Sequence, residues 1–194
     1  MRTVEIQRRF DMTAQEVEAA RKRFSGKFGA QPGRWHNRNG VMVHEYTDEM
    51  IWTPNLVVNE GLNHALETVI NAGTPITVWF HTGFTDNITP LATHTAAVPG
   101  VTEIDAADVA EAVRETFNAN AASGQSIDNV AGPVSQYTAD QTFTMFGMEL
   151  IGGGTSAFGN TAGTLWAQNL LAPSRPMVAL DTLDMVYTFP ATAT

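Results

Sequence analysis

The stretch TLDMVYTF, residues 182–189, alternates Leu183, Met185, Tyr187 and Phe189 with Asp184, Val186 and Thr188. A period of two puts the first set on one face of an extended strand and the second set on the other, so this segment must lie with one side on a core. Such a strand cannot stand alone. It needs neighbours for its backbone hydrogen bonds and an apolar layer over its inner face. The sequence offers both. VMVHEY at 41–46, ITVWF at 76–80, TFTMFGMELI at 142–151 and the run 164–171 read as strands, with 101–104 and 113–117 as weaker ones. Gly147 marks a bulge in its strand, and the glycine-rich GGGTSAFGN reads as a turn. Turn residues separate the runs, which predicts a mainly β, antiparallel β-sandwich whose strand order, jelly-roll or immunoglobulin-like, stays open. No internal repeat is visible.

One segment breaks the pattern. In NLVVNEGLNHALETVINAG, residues 55–73, the period changes from two to that of a helix. Asn59 reads as the N-cap, Glu60 suits the positive end of the helix dipole, and Gly73 follows the C-cap. Leu62, Leu66 and Val69 form a stripe widened by Ala65 and Ile70. A helix this short needs tertiary support, so the stripe is expected to pack on a sheet and close one end of the sandwich.

Charge is distributed unevenly. Residues 1–38 hold nine basic side chains against four acidic ones, a balance of +5, while residues 39–194 hold two against sixteen, a balance of −14. This predicts a basic N-terminal arm over residues 1–40 and a β-sandwich domain over 41–194. Thr13-Ala14-Gln15-Glu16 is a capping box, with Met12 and Val17 placed as a hydrophobic staple. Val17, Ala20 and Phe24 follow at helical spacing, Arg21, Lys22 and Arg23 make the other face basic, and Gly26 ends the run. Gly29, Pro32 and Gly33 read as a linker with turns. Solubility alone does not require Trp35 and the phenylalanines of this arm. Its expected interface residues are therefore Arg8, Arg9, Arg21, Lys22, Arg23, Lys27, Arg34, Trp35 and Arg38.

Motifs that carry chemistry are sparse. The absence of cysteine removes disulfides, thiolate nucleophiles and Cys-ligated zinc together. His36, His44, His64, His81 and His94 lack the spacing of a metal site, and His81, Asp86 and His94 would have to meet in space to make one. No serine sits in a G-x-S-x-G elbow; Ser123, Ser126, Ser135, Ser156 and Ser174 read as loop residues. Asp105, Asp108 and Glu111 lie near helical spacing and read as a solvated face. Gly152-Gly153-Gly154 is not followed by Lys-Ser/Thr, so it is no phosphate-binding loop. Neither an enzyme nor a bound cofactor or metal is expected. The acidic body disfavours nucleic acid, no run approaches a membrane span, and no secretory signal opens the chain.

VVNEGLNHALETVI, a short break and VWFHTGF resemble a family of tailed-bacteriophage and prophage structural proteins. In that family a strand, an Asn-x-Gly-Leu helix start and a Trp-containing strand follow in this order. THTAAVPGVTEI at 93–104, QTFTMFGMELIGGGTSAFGNTAGTLWAQN at 141–169 and RPMVALDTLDMVYTF at 175–189 are similar to later segments of the family, with Leu180 in place of its usual glycine. The resemblance covers about residues 55–190 and implies a virion structural protein, made in the host cytoplasm. The expected role is a capsid decoration or cement protein, a dimer or trimer that bridges coat subunits and stabilises the assembled head. Its partners would be the major capsid protein or other virion proteins. A neck or tail adaptor, a fibre-anchoring protein and a host-glycan-binding module are the alternatives.

Overall fold

A computed structural model describes residues 26–38, 41–123, 126–130 and 135–190. Among these residues the protein is mainly β, with two antiparallel sheets and one helix. In sheet A, β1 (Lys27–Arg38) lies between β11 (Asp181–Pro190) on one side and, on the other, β2 (Val41–Tyr46) and β3 (Ile51–Pro54) in succession. The far side of β11 carries β7 (Ser126–Asp128) and β8 (Ser135–Thr138). Sheet B runs in the order β4 (Leu56–Val57), β10 (Thr164–Met177), β9 (Phe143–Gly152), β5 (Trp79–Phe84), β6 (Glu115–Thr116). The helix α1 spans Asn59–Ile70.

Alternation along the strands places the core. Leu183, Met185 and Tyr187 of β11 are buried on the inner face, as are Phe28 and Ala30 across from them on β1, but Thr182, Asp184 and Val186 on the other face of β11 are buried too, so this strand is covered on both sides rather than one. The inner-face residues share one apolar cluster with Met145, Met148 and Leu150 of β9 and Leu171 of β10, so the two sheets cover each other's inner faces. The outer face of sheet B is covered as well. A second small cluster of Val58, Ala96, Ile151 and Leu165 ties it to the start of α1 and to the long loop 85–114.

The boundary of the N-terminal arm differs from expectation. Residues 27–38 are a strand between β11 and β2/β3, not a linker. The misleading residues have strand-specific reasons. Pro32 sits where β1 changes partner on one side, between the part paired with β3 and the part paired with β2, so the missing N–H interrupts no continuous ladder there. Gly33 is buried, and a methyl group there would stand 2.6 Å from both His44 Nε2 and Thr182 Oγ1. The glycine makes room for side chains that cross the strand. The expected helix at 13–26 falls almost wholly outside the described residues. With β1 assigned to the sheet, residues 1–25 hold six basic against four acidic side chains, so their balance is only +2.

The helix forms where expected, but its packing differs. Val58, not Asn59, occupies the N-cap position, and no side chain caps it. Asn59 instead donates its backbone N–H to Ala92 O at 2.8 Å. Gly61 is the buried residue of the helix, and a methyl group there would lie 2.7 Å from Trp166 O. Glycine thus brings the first turn against the backbone of β10. Glu60 Oε2 accepts from Ala96 N at 2.8 Å and Leu165 N at 2.7 Å, fastening helix, loop and strand together. The expected stripe is not buried: Leu66 is 59% exposed, and Val69 and Ile70 are 78% exposed. The helix is held by its N-terminal turn, and its C-terminal half presents apolar side chains outward.

Leu180, which stands where the resembled family has glycine, has φ +72° in the turn that leads into β11. Asp181 N donates to Val178 O at 2.9 Å across that turn. A left-handed residue at this position explains why glycine suits it.

Candidate interaction face and buried polar groups

Sheet A turns an aromatic and polar surface away from the core. Trp35 and His44, paired in register, have ring centroids 5.0 Å apart, and His44 meets Tyr46 edge-on at 5.1 Å. His44 Nε2 shares a 2.7 Å hydrogen bond with Thr182 Oγ1. Tyr46 Oη and Gln136 Nε2 each donate to the buried Asp184 carboxylate at 2.6 Å. The bond to Asp184 holds the Tyr46 proton and pushes its pKa up to about 12. Trp52 lies across from Gly29, and Lys27 Nζ stands 4.4 Å from its ring. The band is ordered by hydrogen bonds behind it while Tyr46, Met42 and Trp52 remain exposed in front. Such a surface suits contact with another protein or with a sugar ring.

Of the expected interface residues, Arg8, Arg9, Arg21, Lys22 and Arg23 lie outside the described residues. Trp35 takes its place in the aromatic band. Lys27 is engaged with Trp52, and Arg34 Nε donates to Asp181 Oδ1 at 2.5 Å, so both cations have partners within the sheet. Arg38 closes β1.

Two buried polar groups were not legible in the sequence. His81 points into the core between the sheets, among Phe28, Phe117 and Tyr187. Its Nδ1 lies 3.0 Å from Ser135 Oγ, and Ser135 Oγ donates to Thr116 O at 3.2 Å. The serine proton is thereby committed to a carbonyl, so His81 donates through Nδ1 and its Nε2 has no partner. This polarity is the reverse of what a base needs to activate a serine. Burial pushes the His81 pKa down to about 3, keeping the ring neutral.

On the other side of sheet B, beneath loop 85–114, Gln168 links three groups. Its Nε2 donates to Glu149 Oε1 and to Pro99 O, and His94 Nδ1 lies 2.7 Å from its Oε1. Burial, reinforced by the charge of Glu103, pushes the Glu149 pKa up to about 7 against the opposing pull of Gln168 and Arg114. Arg114 itself is buried and grips Glu103 through two bonds of 2.6 and 2.7 Å. His81 and His94 thus sit on opposite faces of sheet B and do not meet. Among the described residues no three His, Asp or Glu side chains converge as metal ligands.

The expected acidic face at Asp105, Asp108 and Glu111 is not a helix. Asp105 Oδ1 accepts from Ala107 N at 2.7 Å, and Glu111 accepts from Thr138 N at 3.0 Å, so these carboxylates fasten loop backbone. Ser126, Ser135 and Ser174, expected in loops, belong to β7, β8 and β10.

No protein-family model matches this chain, and neither does any curated protein or solved structure. No helix among the described residues is long and apolar enough to cross a membrane.

Proposed function

We propose that this chain is a structural protein of a tailed-bacteriophage particle, a decoration or cement protein that works by binding the assembled head. The observation that carries the binding reading is the outward apolar face of α1. Leu66, Val69 and Ile70 share one side of the helix at i, i+3 and i+4, and all are exposed on a body of strongly acidic balance. A contiguous apolar face left exposed by the described residues is the usual mark of an interface. The virion assignment rests on the resemblance at 55–190. The structure supports it at one particular point, since Leu180 has the backbone conformation that the family's glycine would take.

On this reading the two sheets are the layers of a β-sandwich, and copies sit as dimers or trimers at symmetry-related points of the shell. A protein that binds the assembled shell and not its separated subunits stabilises the shell by mass action, by about 2.7 kcal/mol per site at a hundredfold excess over Kd. Many neighbouring copies add avidity. The cations of residues 1–25 extend the contact to adjacent coat subunits. Copy number tests the reading: quantitative mass spectrometry of purified particles should find hundreds of copies. About a dozen would move the protein to the neck or tail.

A second reading has its own observation. The Trp35–His44–Tyr46 band, half-buried at Trp35 and His44 and exposed at Tyr46, is the kind of aromatic surface on which sugar rings stack, which favours a host-glycan-binding module carried by the particle. A glycan array probed with the whole chain tests it, and an array without hits removes it.

A further inference from the structure

Where β10 of sheet B passes into β11 of sheet A, the two sheets leave a cavity of about 310 Å³ between them. Its walls are mixed. Pro32, Met177 and Leu183 supply apolar surface, while Arg34, Asp48, Arg175 and Asp181 supply charge. The strand pairing explains the space. β10 advances from Leu170 to Arg175 while β9 runs only from Gly147 to Met145, so β10 bulges out of the sheet and rejoins it at Arg175. A cavity of roughly 150 Å³ holds a benzene, so this one takes a group of that size or larger.

Arg175 stands out in the lining. Residues 39–194 hold two cations, Arg114 and Arg175, against sixteen acids. Arg114 grips Glu103 through two bonds, whereas Nε and Nη2 of Arg175 are shielded from water and have no hydrogen-bond partner. The carboxylates of the same cavity are engaged elsewhere. Asp181 accepts from Arg34 Nε at 2.5 Å and from Val178 N at 2.9 Å, and Asp48 Oδ1 accepts from Glu49 N at 3.2 Å. Nε and Nη2 form one edge of the planar guanidinium, the edge that meets a carboxylate with two parallel bonds. Buried donors left unmatched on a cation are costly, and a missing ligand is the kind of cause that explains them. We propose that this cavity binds a carboxylate group, held side-on by Nε and Nη2 of Arg175.

Charge selects the class of ligand. The Arg34–Asp181 pair is neutral as a unit, which leaves Arg175 and the exposed Asp48 as the other charges of the lining. A group with a single negative charge balances Arg175, while a phosphate dianion would bring a second charge against two carboxylates. Turning the free edge of Arg175 onto a ligand breaks no bond, because neither nitrogen has a partner, and the side chain is only half-buried. A small organic acid and an acidic side chain of a partner protein share this chemistry, and the test separates them. The proposal concerns the isolated chain and does not depend on the virion reading.

In the full chain labelled with heavy nitrogen, the Nε–H resonance of Arg175 is assigned by its loss in Arg175→Lys. Glutarate should move this resonance to saturation, while that of Arg114, already bonded to Glu103, stays in place. Dimethyl glutarate, which lacks the charge, should move neither. Arg175→Lys should weaken glutarate binding, followed by calorimetry, at least about tenfold, since an ammonium cannot make the two parallel bonds. The blocked peptide acetyl-Gly-Glu-Gly-amide represents the protein source. Tighter binding of the peptide than of glutarate assigns the site to a protein partner, and equal or weaker binding assigns it to a free acid. No movement of the Arg175 resonance with either carboxylate, or equal movement with phosphate or chloride, would overturn the proposal. Thermal unfolding gives an independent reading. Glutarate should raise the midpoint of the wild type and not that of Arg175→Met, and an equal rise in both counts against the site.

Discussion

Glu149 makes the stability of this protein fall as pH rises towards neutrality. Its side chain is buried, and its pKa moves from 4.5 to about 7, first by burial and then by the nearby charge of Glu103. Between those values the folded protein binds a proton that the unfolded chain has lost. The extra stability is fully present below about pH 4.5 and is lost as pH passes through about 7. At about 1.36 kcal/mol per pH unit, the interval amounts to roughly 3 kcal/mol. His81 acts in the opposite sense. Its pKa falls from 6.5 to about 3, so it contributes stability above pH 6.5 that is lost as the medium is acidified towards pH 3. The two effects overlap between about pH 4.5 and 6.5, and the wild-type profile alone does not separate them. Glu149→Gln does, because glutamine keeps the shape and an acceptor for Gln168 but cannot ionise. Urea unfolding of both proteins at intervals from pH 4 to 8 gives the difference directly. Wild type should lose about 3 kcal/mol relative to the variant over that range, with no further change above about pH 8. Parallel profiles would show that the carboxyl is not held in a proton-retaining site, and the account of the network under loop 85–114 would be wrong.

Three further substitutions test the packing. Gly61→Ala gains about 1 kcal/mol of helix propensity but drives a methyl group into the Trp166 backbone, so a net loss of about 1–2 kcal/mol is expected by thermal or chemical unfolding. Glu103→Gln leaves the buried Arg114 cation without its carboxylate and should cost about 3 kcal/mol, read by the same unfolding assay. Leu180→Gly relieves a left-handed leucine and should stabilise the protein by about 0.5–1 kcal/mol, measured as a rise in the denaturant midpoint.

The alternating strands were legible because a period of two marks an extended segment with its large apolar residues on one face, although in β11 the other face, with Thr182, Asp184 and Val186, is buried as well. The stretch 182–189 became β11, and 142–151 became most of β9. β1 was not legible, because KFGAQPGRWHNR carries the residues that usually mark turns. Here Gly33 serves side chains crossing the sheet, and Pro32 falls at a change of strand partner, both facts of tertiary structure. The helix was legible from its spacing, but spacing does not say which side is covered. Gly61 and Glu60, rather than Leu66 and Val69, hold it to the sheet. The His81–Ser135 pair spans 54 residues, and the Glu149–Gln168–His94 chain depends on a loop folding over a sheet, so no local pattern announces either. β1 also changes how the N-terminal segment has to be tested. Removing residues 1–38 would take a central strand with it, whereas a truncation ending at residue 25 leaves the sheet whole.

The central claim is that this protein acts by binding a multi-copy shell. Sedimentation of the purified full chain with emptied heads of the virus that encodes it, stripped of this protein, measures that most directly. Unassembled coat protein serves as the comparison. The account predicts saturable co-sedimentation with the heads at a fixed ratio to coat protein, none with the unassembled coat, and weakened binding when Val69 and Ile70 are both replaced by Asp. A chain that stays in the supernatant at every concentration would contradict it.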